Sequence, residues 1–253
     1  YFLSSQGNAL CIMTSGFKKF ILLFCISFNG LAQDHVMDSL KSVLKNAIHD
    51  TTRCNILNRM IEAENDDEVW PKYNDQLLKL AHAALASKQS NHLQAFYIRQ
   101  QSNAFNNIGY LASTRGEIDK ALLYYTKALQ LQEEINDKIG IAGSLNNIGY
   151  LYNHLGDIPK ALEYYHRCLS ISEKLNDELG VSIVLNNLGL IYVNLEEIPK
   201  AIEYYKKSLK ICNEIKDEKG IGSALNNIGG AYHAMNDIPK ALEYYNRSFT
   251  THK

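Results

Sequence analysis

The sequence has little of several features that would restrict its class. Only 4 of its 253 residues are proline, and its 5 cysteines are too few and too scattered to form a disulfide framework. Lysine plus arginine (26) nearly balance aspartate plus glutamate (27), so the formal net charge is −1 and no broad basic surface for nucleic acid is expected. Strict apolar alternation is nowhere sustained, which argues against a β fold. With 46% hydrophobic residues, the chain has ample material for a core.

Patterns typical of catalysis or of cofactor binding are also missing. The histidines lack metal-ligand spacing, because no His or Cys lies four residues from His154, His166 or His233. The glycine pair in residues 219–222 lacks the Lys-Ser or Lys-Thr of a phosphate-binding loop. We therefore expect no enzyme activity, no cofactor and no metal within these residues. A catalytic domain would have to lie beyond Lys253.

The first 32 residues predict a secretory signal peptide. Met13 is the better start, and it is followed by two lysines, by the apolar run of residues 20–28 and by Gly-Leu-Ala ending at Ala32. This order is typical of a leader cleaved after Ala32, and nine apolar residues are too few to span a bilayer. Two alternatives stay open, which are a lipoprotein signal using Cys25 and a buried N-terminal helix.

A 40-residue period organises the chain from about Gln101 to its end. Residues 141–180 show one complete copy. Self-similarity at such a period is typical of stacked repeats, each burying its apolar face against its neighbours. The residues that recur in register are Asn106, Asn146, Asn186 and Asn226; Gly109, Gly149, Gly189 and Gly229; Ala121, Ala161, Ala201 and Ala241; and Tyr125, Tyr165, Tyr205 and Tyr245.

Each repeat is predicted to be a pair of helices, called here the first and the second helix. Apolar residues fall twice at helical spacing, and Gly156-Asp157 reads as a turn in which Gly ends the first helix and Asp caps the second. Gly149 lies inside the first helix, which predicts close approach of the second. The partners expected there were small residues: Ala128, Cys168, Ser208 and Ser248. The residues expected to cap first helices are Asp137, Asp177 and Asp217, and the prolines expected in the first turn of second helices are Pro159, Pro199 and Pro239.

The recurring pattern resembles the tetratricopeptide repeat. The positions that carry this resemblance are Leu145, Ile148-Gly149, Tyr152, Ala161, Tyr165 and Cys168. The period departs from the family, since it is 40 rather than 34 residues, and we expect the added residues to lengthen the second helix. The resemblance implies an all-α, right-handed α-α superhelix whose first helices line a concave groove. The long-period form is similar to peptide-binding scaffolds and to the sensory regions of bacterial signalling proteins.

Three segments are therefore predicted: residues 1–32 as extension and signal peptide, 33–90 as a degenerate helical N-terminal cap, and 91–253 as four repeats. The last repeat is truncated within its second helix, so we expect the natural chain to continue. In the cap, helices are expected over residues 36–47, over 50–63 with Asp50 or Thr51 as cap, and from Trp70 to about Ala86. Trp70 is expected to anchor the core. Small buried side chains are expected at Cys54, Cys168 and Cys212.

The Asn pair in every first helix is the most informative polar feature. Helical periodicity predicts that the second member, such as Asn147, faces a neighbouring helix and forms a hydrogen bond there. The first member, such as Asn146, shares a more open face with the residues one and two turns later. If the resemblance holds, this face lines the groove, where amides can pair with an extended peptide. An alternative is that both members only support packing. The groove stripe, as we call this face, comprises Asn106, Tyr110, Asn146, Tyr150, Asn153, Asn186, Leu190, Asn226 and His233.

Two functional hypotheses follow. In the first, the chain is an exported protein-interaction module that binds a peptide or partner segment, with no nucleic-acid partner. Because the groove stripe contains no Lys or Arg, a neutral or mixed segment is favoured over an acidic terminus. In the second, it is the extracytoplasmic sensory region of a longer signalling protein, such as a histidine kinase, nucleotide cyclase or helix-turn-helix regulator. A membrane tether would then lie beyond the C-terminus.

The signal-peptide prediction can be tested directly. If residues 13–32 are a leader, the mature protein should begin at Gln33 and be recovered outside the cytoplasm. Mass spectrometry of the N-terminal peptide checks both points. An intact N-terminus at Met13 in a cytosolic fraction would contradict the prediction.

Overall fold

The computed structural model describes residues 29–87 and 90–251, with side chains from residue 36 onward. The predicted start at Met13 and the apolar run of residues 20–28 lie outside this range. Every regular element in the described ranges is an α-helix: α1 Asn29–Asn46, α2 Asp50–Ala63, α3 Trp70–Leu85, α4 Asn91–Thr114, α5 Ile118–Glu134, α6 Lys138–His154, α7 Ile158–Lys174, α8 Glu178–Asn194, α9 Ile198–Glu214, α10 Glu218–Ala234 and α11 Ile238–Thr251. The all-α architecture of paired helices is therefore confirmed. None of these helices is long and apolar enough to cross a membrane.

The helices form two compact halves that divide within α6. The N-terminal half extends to Ser144 and the C-terminal half begins at Leu145. In the N-terminal half, α2, α3 and α4 share a core that includes Cys54, Leu77 and Trp70. Trp70 is 2% exposed and its indole Nε1 donates a hydrogen bond to Asp67 Oδ1 at 2.7 Å, so its predicted role as a core anchor is confirmed.

Left-handed residues at 20-residue intervals set the helix lengths. From residue 116 onward each turn contains one residue with positive φ, and these residues are Gly116, Asn136, Gly156, Asn176, Glu196, Lys216 and Asn236. Each ends one helix and allows the next to begin within three residues. From α5 to α10 every helix is therefore 17 residues long. The expectation that the added residues lengthen only the second helix is wrong, because both helices of a repeat are equally long.

Most of the predicted helix starts are confirmed. Asp157 caps α7 by accepting a hydrogen bond from the backbone N–H of Lys160, and Asp137 and Asp177 accept from Gly140 and Gly180 in the same way. The prolines occupy the first turns of second helices.

Two capping predictions are wrong. Asp217 precedes α10 but makes no side-chain cap hydrogen bond. Asp50 is the first residue of α2, so the cap position falls on His49, whose side chain makes no cap hydrogen bond.

The glycine inside each first helix accommodates a tyrosine ring of the second helix. A β-carbon on Gly149 would lie 3.0 Å from Tyr165 Cδ1, and one on Gly229 would lie 2.8 Å from Tyr245 Cδ1. Close approach is thus confirmed, but the predicted small-residue partners are wrong. The small residues pack elsewhere on the first helix. There, the hydroxyls of Ser208 and Ser248 donate to the backbone carbonyls of Ser182 and Gly222, both at 2.8 Å.

Two adjacent glycines of α10 provide a matched test of this packing. Gly229 faces the Tyr245 ring, whereas a β-carbon on Gly230 would meet only the Tyr245 hydroxyl oxygen, at 3.7 Å. Both substitutions to alanine gain about 1 kcal/mol of helix propensity. Gly230→Ala should keep that gain, while Gly229→Ala should be destabilising overall, because overpacking costs about 1–3 kcal/mol. Urea unfolding of the two variants measures the difference. Equal effects would show that the ring contact does not constrain position 229.

Candidate functional site: the groove stripe of the first helices

The structure places most of the groove stripe at partly accessible positions. Asn106 and Tyr110 on α4 are half-buried in the N-terminal half. The half-buried members in the C-terminal half are Tyr150, Asn153, Asn186 and Leu190, and the exposed members there are Asn226 and His233. Asn146 is the exception. It is 0% exposed, so the prediction that it lies on an open face is wrong.

Hydrogen bonds between successive first helices explain the burial of Asn146. The side-chain Nδ2 of Asn187 on α8 donates to Asn146 Oδ1 on α6 at 2.9 Å, and both side chains are buried. The same bond recurs one repeat later, where Asn227 Nδ2 on α10 donates to Asn186 Oδ1 at 2.9 Å. The second Asn of each of these pairs therefore contacts a neighbouring helix, as predicted.

The two members of each Asn pair were expected to have separate roles, but they act as donor and acceptor of the same ladder. The second Asn of one repeat bonds to the first Asn of the preceding repeat, an offset of 41 residues. In the N-terminal half the second Asn of the first repeat, Asn107, donates to Asn74 Oδ1 of α3 at 2.9 Å. Asn74 lies outside the recognised repeats, so no sequence period could have identified it. The 41-residue offset was visible in the sequence but was not used.

A second rung of the ladder lies near the ends of the first helices. Asn194 Nδ2 donates to Asn153 Oδ1 at 3.1 Å, and this bond is solvent-exposed. Beside it, the rings of Tyr150 and His154 are 6.4 Å apart. The carbonyl oxygens of Asn153 and Asn186 therefore each accept one bond from the next repeat. Their side-chain N–H groups, which form no bond to the described part of the chain, are the donors left for a ligand.

Cations of the second helices are already engaged by tyrosines and carboxylates. Stacked pairs recur as Tyr152–Tyr164, Tyr192–Tyr204 and Tyr232–Tyr244, with centroids 5.1–5.5 Å apart. Lys160 Nζ lies 4.8 Å from the Tyr152 ring centre and 2.8 Å from Asp157 Oδ2. The hydrogen bond from Lys160 lowers the pKa of Asp157, and that bond also raises the pKa of Lys160. Sequence reasoning missed these stacks, although the tyrosines recur at 40 residues.

The cysteines have no reactive environment. Cys54, Cys168 and Cys212 are buried free thiols. Burial raises the pKa of the Cys54 and Cys168 thiols to about 12, so both stay protonated at neutral pH. Their predicted role as small buried side chains is confirmed. Among residues 29–87 and 90–251, no group of three or more His, Cys, Asp or Glu could hold a metal ion.

Comparison with protein families identifies the class. Two models described as tetratricopeptide repeat match the chain, one over residues 140–214 and 180–253 and the other over residues 102–135. Together they cover more than half of the sequence. The chain therefore belongs to the tetratricopeptide repeat family, whose members are generally non-enzymatic scaffolds for protein interaction. No significant match was found among curated protein sequences.

Solved structures show the same fold in distant proteins. BtubC (BKLC) from P. vanneervenii is 18% identical, with a TM-score of 0.68, covering 88% of this chain and 89% of that one. A signal transduction ATPase with numerous domains and a tetratricopeptide repeat sensor, from Pyrococcus horikoshii, is 18% identical, with a TM-score of 0.64, covering 85% of this chain but 33% of that one. A Rap protein complexed with Competence and Sporulation Factor is 14% identical, with a TM-score of 0.56 and coverages of 88% and 65%. At these identities the likeness concerns the fold alone.

The buried rung of the Asn ladder should contribute more to stability than the exposed rung. Asn187→Ala removes a buried donor and leaves Asn146 Oδ1 without its partner, at an expected cost of about 1–3 kcal/mol. Asn194→Ala, on the same helix, removes an exposed bond of the same type and should cost less than about 0.5 kcal/mol. Chemical denaturation of both variants measures the two costs. Equal costs would mean that the buried bond has no special structural role.

Proposed function

We propose that the groove stripe binds an extended peptide or a partner segment, and that the chain is a protein-interaction module. The observation that carries this proposal is the accessibility of the stripe within an otherwise buried helix. On α8, for example, Asn187, Leu188 and Gly189 are buried while Asn186 and Leu190 remain half-buried. Side chains held in place but still partly accessible are suited to binding, because little conformational entropy is lost when a ligand arrives.

The contacts available on the stripe are those that an extended peptide can use. The side-chain N–H groups of Asn153 and Asn186 can donate to peptide carbonyls. Tyr150 and Leu190 offer half-exposed apolar surface for the side chains between those carbonyls. The inter-repeat hydrogen bonds fix the relative positions of these groups, so that a ligand would meet a pre-organised surface.

The charge of the stripe favours a neutral or mixed ligand. None of its nine members is Lys or Arg. The cations at Lys160, Lys200 and Lys240 lie over tyrosine rings at 4.0–5.1 Å, and each has a carboxylate partner within its own repeat. An acidic peptide terminus would therefore find no unengaged cation among the stripe residues.

A second candidate function is the sensory region of a longer signalling protein. It is supported by the architecture of the Pyrococcus horikoshii protein, in which a tetratricopeptide repeat sensor belongs to a much longer signal transduction ATPase. The Rap protein, complexed with Competence and Sporulation Factor, offers a similar analogy. In either function we place the chain outside the cytoplasm, exported or membrane-anchored, on the strength of the predicted signal peptide.

Sequencing the gene beyond the codon for Lys253 separates these two candidates. A segment of about 20 apolar residues followed by a further domain supports the sensory role. A closing helix followed by a stop codon supports the independent module.

Peptide binding can be tested with a library of synthetic, end-blocked dodecapeptides. We expect the protein to select peptides that lack an acidic terminus. The double variant Asn153→Ala with Leu190→Ala should weaken the selected peptides at least ~10-fold, since it removes one donor and one apolar contact, each contributing about 1 kcal/mol. The control is Lys206→Ala with Lys210→Ala, at exposed positions of α9. Melting curves confirm that both variants are folded. If no peptide is selected, or if both variants bind as the wild type does, the groove proposal is wrong.

A further inference from the structure

One position of the groove stripe row lacks a side chain. The position that carries Tyr110, Tyr150 and Leu190 in three successive repeats is Gly230 in the fourth. Gly230 is half-buried on α10, and the nearest atom to a β-carbon built there, apart from the helix's own backbone, is the Tyr245 hydroxyl oxygen at 3.7 Å. The described part of the chain places no other non-neighbouring atom within 4 Å. We call this gap the Gly230 notch.

Packing does not explain this glycine. The adjacent Gly229 is needed because the Tyr245 ring lies 2.8 Å from where its β-carbon would be, and the equivalent Gly189 faces Tyr205 in the same way. Gly230 has no such neighbour, although glycine is unfavourable within a helix. In the preceding repeat Leu190 fills the equivalent position. The space above Gly230 is therefore open by the choice of residue and not by steric need.

The groups around the notch suit an aromatic side chain. Leu190 lies at the equivalent position of the adjacent first helix, α8, which the Asn227–Asn186 hydrogen bond holds against α10. His233 follows Gly230 by three residues on the same face of α10 and is exposed. The Tyr245 hydroxyl at the base of the notch can donate or accept one hydrogen bond.

An aromatic ring already occupies the equivalent place in an earlier repeat. On α6 the Tyr150 ring stands at this position and contacts the His154 ring at 6.4 Å between centroids. A ring supplied by a ligand could take the same place on α10, between Leu190 and His233, where ring–ring and ring–aliphatic contacts are both available.

We propose that the Gly230 notch is a specificity pocket that accepts one aromatic side chain of the bound partner, and that a tyrosine or tryptophan, whose polar edge can reach the Tyr245 hydroxyl, is preferred over phenylalanine. This proposal rests on the proposed function of the groove stripe. It adds to that function the class of residue that the partner presents to α10.

The test uses the same dodecapeptide library with each position scanned through all amino acids. The wild-type protein should show a preference of at least ~10-fold for an aromatic residue at one peptide position, which is within the range that one apolar pocket provides. Gly230→Leu fills the notch with the residue found at position 190, so the helix should fold and the melting temperature should not fall. In this variant the aromatic preference should disappear, while binding of peptides without an aromatic residue stays within about twofold of wild type.

His233→Ala gives a second, independent readout at an exposed position, where folding is not at risk. It should reduce the aromatic preference several-fold and leave aromatic-free peptides unaffected. An aromatic preference that persists in Gly230→Leu, or a wild-type protein that selects peptides without any such preference, overturns the notch and leaves the groove proposal standing. Failure of the wild type to select any peptide overturns both.

Discussion

The contact on which the repeat depends is that between a glycine of the first helix and a tyrosine ring of the second. It recurs at Gly109, Gly149, Gly189 and Gly229, and in each case a β-carbon would come within about 3 Å of the ring. The ring can therefore lie flat against helix backbone, which brings the two helices close along the turn that follows. The small residues seven positions earlier on the first helix and three positions later on the second allow the same close approach at the other end of the pair.

A different interaction joins one repeat to the next. Amide-to-amide hydrogen bonds run from the second Asn of one first helix to the first Asn of the preceding one, and both ends of the bond are buried at Asn187 and Asn146. A buried amide without a partner is costly, so these bonds favour one register between neighbouring first helices. They also consume half of the hydrogen-bonding capacity that the groove stripe was expected to offer. The polar groups that remain for a ligand are the donor halves of the half-buried amides.

The surface proposed for binding therefore depends on the scaffold more than the sequence pattern suggests. Leu190 and Tyr150 keep part of their surface accessible because the Asn bonds beside them determine how closely the first helices approach. The Gly230 position is open for the opposite reason, since nothing packs against it there. The stripe thus combines residues with a structural role and residues without one, and the latter are the better candidates for ligand specificity.

The sequence alone determined the class of fold, the repeat period and the position of most turns, because these depend on local chemistry. Gly156 takes a left-handed conformation, Asp157 caps the following helix and the apolar spacing sets the faces, all within a few residues of one another. The partner of Gly149, the burial of Asn146, the bond from Asn107 to Asn74 and the equal helix lengths were decided by tertiary structure. Periodicity shows which residues share a face of one helix, but not which atom of another helix meets that face, because that depends on how the helices pack.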